Sequence, residues 1–68
     1  MASLTTDSNL AAPDDFYAAL IDMHRGLSEH DSARCNARLI LLLANHIGDA
    51  EVLAQAMAAA REGLDPMA

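Results

Sequence analysis

The sequence contains no lysine and no tryptophan, one cysteine, two prolines, three glycines and only two aromatic residues, Phe16 and Tyr17. Each scarcity excludes something. A lone Cys35 leaves no disulfide within the chain, so covalent stapling cannot stabilise it. The only cationic side chains besides histidine are Arg25, Arg34, Arg38 and Arg61, set against ten carboxylates for a formal net charge of −6. Such a surface repels nucleic-acid phosphates and anionic membranes alike, which argues against both as partners. Few aromatics, a single valine and three isoleucines argue against a sheet. The apolar run Leu39 to Ala44 holds six residues, far short of the ~20 that span a bilayer. The N-terminal MASLTTDSNLAAP has neither the basic start nor the long apolar stretch of a secretory signal, and with one free thiol the expected compartment is the cytoplasm.

What is abundant is alanine and leucine, which dominate a hydrophobic fraction of 53% and favour helix. Sixty-eight residues make one small domain, and a chain of that size buries only about 60% of the surface its unfolded form exposes. Chains so small supplement their cores with metals, oligomers or very tidy helix packing when disulfides are missing.

Punctuation residues divide the chain. Residues 1–12 are rich in Ser, Thr, Asp, Asn and Ala without periodicity and read as a flexible, disordered tail, leaving 13–68 as a single helical domain. Pro13 suits a first helical turn, and Asp14 and Asp15 complement the positive end of the helix dipole. This helix is expected to run to about Arg25 and stop at Gly26. Ser28-Glu29-His30-Asp31 has the form of a capping box opening a second helix, from Glu29 to about Ile47, which Gly48 ends. Asp49 then caps a third, from Ala50 to about Glu62, terminated by Gly63. The short links predict an all-α fold, a small three-helix antiparallel hairpin or bundle.

The faces of these helices differ. On the first, Phe16, Leu20, Met23 and Leu27 form a core stripe, flanked by a more ambiguous row of Tyr17, Ile21 and His24. On the second, Cys35, Leu39, Ile40, Leu42, Leu43 and Ile47 cover nearly half the circumference, and Leu41 projects from the otherwise polar side. That is more apolar face than one short neighbour covers, so this helix is both central and part of an interface. Its opposite side carries Asp31, Arg34, Arg38 and Asn45, with Asp31 and Arg34 spaced to pair. Asn36 points along the Leu39, Ile40, Leu43, Ile47 stripe, where its amide must find a partner or cost about 1–3 kcal/mol. Two readings stand: Asn36 sets the register of an oligomer, or it bonds a loop carbonyl. The third helix lines one face with Val52, Leu53, Ala56, Met57 and Ala60, small residues that allow close approach but fill little volume.

Catalytic and cofactor chemistry finds no footing. His30 and Cys35 are five apart, and neither a helical i, i+3 or i+4 ligand pair nor a C-x-x-C is present, so no metal set is assigned. His24 and His46 each precede a terminating glycine by two residues, where a histidine interacts favourably with a helix C-terminus. Cys35, in mid-helix on the apolar side, reads as a small hydrophobe. There is no glycine-rich phosphate loop, and a helix-turn-helix reading fails because the would-be recognition helix carries only Arg61, at its far end.

The string from Phe16 to Asp49, above all GLS, SARCNARL and LLLANHIGD, resembles a family of short, mainly proteobacterial proteins known as domain of unknown function 2783. The resemblance spans about Asp14 to Arg61. It implies a small helical protein without an assigned activity, and one similar to an accessory subunit of flavin-dependent oxidoreductases of aromatic catabolism. From the residues themselves the expected function is non-catalytic: a helical module that buries an apolar face in a homo-oligomer or against a larger protein. Asn36, Leu39, Ile40, Leu43 and Ile47 are its expected centre, and Arg34 and Arg38 its rim. The alternative is a metal or small-molecule site built from Tyr17, His24, His30 and His46, with no cofactor otherwise implied.

Overall fold

The structure, a computed structural model, describes residues 2–66. Met1, at the start of the expected tail, and Met67 and Ala68, at the end of the expected domain, lie outside the described residues. Three helices follow in chain order: α1 (Pro13–Met23), α2 (Glu29–Ile47) and α3 (Ala50–Arg61). No strand is present among the described residues, and the fold is all-α as its composition requires.

Local signals account for most helix ends. Pro13 occupies the first turn of α1 together with Asp14 and Asp15, while the cap position, Ala12, contributes no side-chain bond. At the start of α2 the Ser28 hydroxyl accepts from the Asp31 N–H at 3.1 Å, which forms one half of the capping box. The Asp31 carboxylate lies instead 3.6 Å from Arg34 Nη1, the pair anticipated from their spacing. Asp49 Oδ1 accepts from the Val52 N–H at 3.0 Å and opens α3. Gly48 closes α2 at φ +69°, in the left-handed region, and its N–H donates to the Ala44 carbonyl at 2.9 Å. A residue with a Cβ is strained at that φ, so the tight passage from α2 to α3 depends on glycine.

One boundary moves. Helix α1 ends at Met23, two residues before Arg25. Beyond Met23 the backbone tightens: His24 donates to the Ile21 carbonyl at 3.1 Å and Arg25 to the Asp22 carbonyl at 3.0 Å. Such three-residue bonds satisfy the last carbonyls of a helix within a shorter turn. The Arg25 side chain reinforces it, with Nε 2.7 Å from Asp22 Oδ1.

Residues 2–12 carry no helix or strand, yet their start is tied to α3. The Leu4 N–H donates to Gln55 Oε1 at 2.8 Å, and Gln55 Nε2 donates to the Ala2 carbonyl at 3.4 Å.

The packing is open. No two helices lie against each other along their lengths, and none of the described residues is buried. The Cα radius of gyration is 14.1 Å, where a compact domain of this length has about 11 Å. The chain exposes 6129 Å², against about 4,100 Å² for a compact monomer of 7.2 kDa. Only about 40% of the surface of the unfolded chain has therefore been removed, short of the roughly 60% usual for a small domain.

Candidate functional site

An apolar trough of about 460 Å³ lies between α2 and α3. Helix α2 contributes Ile40, Leu41, Leu43 and Ile47, and α3 contributes Leu53 and Met57, with alanines between them. The spacing of 40, 43 and 47 puts three branched side chains on one side of α2, and 53 and 57 repeat at four residues along α3. Ala44, Ala56 and Ala60 also line the trough, and side chains this small leave its volume empty. Every residue lining the trough is apolar.

These side chains face water. Ile40 is 65% exposed, Met57 67%, and Leu43 and Ile47 about half. On α1, Phe16, Tyr17 and Ile21 are comparably open. Twelve large apolar side chains among the described residues retain between 41% and 69% of their surface. Those of them that line the trough lie together on one surface rather than scattered singly.

Of the residues anticipated at the interface, Ile40, Leu43 and Ile47 come together in this trough. Leu39, one turn from Leu43 on the same stripe, does not line it and is half-buried, as is Cys35. Asn36 meets α1: its Oδ1 lies 3.0 Å from His24 Nε2 and accepts from it when that nitrogen carries the ring proton. Its partner is thus neither a loop carbonyl nor a residue of its own helix. Arg34 and Arg38 sit apart from the trough, in a smaller groove of about 300 Å³ completed by Leu27, Asp31 and Cys35. Arg38 also borders a shallow depression shared with Leu41, Leu42 and Asn45.

The histidines are dispersed. His24 caps α1, His30 lies in the first turn of α2 and His46 in its last, and the sixteen residues between the last two correspond to about 24 Å of helix rise. Tyr17, His24, His30 and His46 do not form one cluster. Among the described residues no three His, Cys, Asp or Glu side chains converge on a point where a metal ion could sit. No helix among them is long and apolar enough to cross a membrane.

Two contacts escaped the reading of the sequence. The Gln55 link to the N-terminal segment joins residues 51 and 53 positions apart, and nothing local announces it. The His24–Asn36 pair was foreshadowed only in that both are polar residues on apolar rows.

Fold and surface together define a class: small all-helical proteins whose apolar side chains remain open to solvent. Within it, the chain belongs to the family described as Protein of unknown function (DUF2783), whose model matches residues 4–62. The match begins ahead of α1, so the family pattern includes the segment tied to Gln55. No curated protein and no solved structure matches the chain.

Proposed function

We propose that this protein is a non-catalytic helical interaction module that completes its core by burying an apolar face in an oligomer, against a copy of itself or another chain. The observation that carries this reading is the absence of any buried residue among the described ones, in a chain with twelve large and substantially exposed apolar side chains. Three helices, two of them opened by side-chain caps, have their local structure but no shared core, and lack the burial that stabilises it. The trough between α2 and α3 supplies the contact, with Ile40, Leu43 and Ile47 at its centre. Binding proceeds by removal of this surface from water, and Asn36, held by His24, lies beside the face as a fixed polar group that orients the partner.

The test is a native mass of the untagged protein isolated gently from its own cells, beside the Leu43→Asp variant. Under this reading the wild-type chain is carried in an assembly heavier than its own 7.2 kDa, and the variant is lost from it. A wild-type chain recovered alone, folded and unable to bind a hydrophobic dye would refute it.

A further inference from the structure

We infer that what covers the open face is a second copy of this chain, and that the protein is an obligate homodimer whose hydrophobic core is assembled between the subunits. This rests on the interaction reading above and adds the identity of the partner.

The exposed area is the size a second copy would cover. Each chain exposes 6129 Å², about 2,000 Å² more than a compact monomer of its mass. A compact particle of two such chains exposes about 6,800 Å² in total, so bringing two open copies to that state removes about 2,700 Å² from each. The total, about 5,400 Å², is what a stable obligate dimer needs: obligate homodimers, like permanent hetero-complexes, have interfaces from about 2,000 to beyond 5,000 Å² that resemble a domain core cut in half. A standard docking contact covers only about 800 Å² per partner, less than half of the excess. A segment laid in the α2–α3 trough alone would leave Phe16, Tyr17 and Ile21 of α1 in water.

The charge distribution is compatible with a second copy. At −6 per copy, two chains repel one another over long distances, so self-association requires a contact surface free of carboxylates. The trough meets that requirement, because no charged residue lines it. By helical spacing, Glu51 and Glu62 fall on the side of α3 opposite Leu53 and Met57. An isologous contact sets a patch against itself, and an uncharged apolar patch is one that can do so without opposing like charges.

The experiment is sedimentation equilibrium of the purified chain alone, at low and moderate salt, with far-UV circular dichroism and binding of a hydrophobic dye measured on the same samples. The expected result is a helical species of twice 7.2 kDa with weak dye binding, and a dimer that tightens as salt screens the repulsion. A helical 7.2 kDa chain that binds dye strongly overturns the second copy while leaving the exposed face in need of another partner. A 7.2 kDa chain without helical signal likewise overturns it, because a copy is then not sufficient to complete the fold. A helical 7.2 kDa chain that binds no dye overturns both the dimer and the interaction reading.

Discussion

Leu43 is where the assembly can be probed quantitatively. Its side chain lines the trough and remains 48% exposed in the single chain, so about half of its transfer free energy is still to be gained on association. Truncation to alanine removes the equivalent of three methylenes, worth about 2.4 kcal/mol between full exposure and full burial at about 0.8 kcal/mol each. The share that belongs to assembly is therefore about 1.2 kcal/mol per copy. A symmetric pair carries the change twice, which gives about 2.4 kcal/mol, or a dissociation constant raised by about 50-fold. Any cavity left in the interface adds to this. The appropriate assay is chemical unfolding followed by circular dichroism across protein concentrations, because the midpoint of an obligate dimer rises with concentration whereas that of a monomer does not. Leu43→Ala should require at least about 50 times more protein to reach the wild-type midpoint, because unfolding of an obligate dimer also reads the half of the side chain buried within each copy. Leu42→Ala is the matched control: it removes the same groups from a side chain outside the trough, beside Arg38 and Asn45. Equal effects of the two substitutions, or midpoints independent of concentration, would sink the assignment of this face.

Other perturbations test the scaffold. Asp49→Ala removes the acceptor of the Val52 N–H and should cost about 1 kcal/mol of stability, whereas Asp49→Asn should retain most of it; urea unfolding of the three proteins decides. Gly48→Ala forces a Cβ into the left-handed region at φ +69° and should lower stability by about 1–2 kcal/mol, seen as a reduced thermal midpoint with helix content retained at low temperature. Gln55→Ala should release the start of the chain from α3, detected as faster hydrogen exchange at the Leu4 amide, with little change in global stability because both bonds are exposed; unchanged exchange would count against the link.

Much of the fold was legible because it is written in short-range chemistry. Pro13, Ser28 and Asp49 open helices within one turn of themselves, and the bounds of α2 follow from Ser28 and Gly48. The end of α1 was less legible, since a helix that closes through three-residue bonds at His24 and Arg25 leaves no residue type to mark the change. Family membership was legible in the SARCNARL and LLLANHIGD strings, although the matched region begins nearer the N-terminus than those strings suggest.

The interaction surface divides along the same line. Periodicity alone put Ile40, Leu43 and Ile47 on one side of α2 and Leu53 and Met57 on one side of α3, because a helix repeats every 3.6 residues wherever it lies. Sequence could not say whether those stripes met each other or water, since a core and an interface demand the same side chains. Tertiary structure decided that. It drew the two stripes into a trough without closing it, turned Arg34 and Arg38 toward a different groove, and gave Asn36 to His24 across the turn between α1 and α2. Those outcomes depend on where whole helices sit in space, which no run of neighbouring residues encodes.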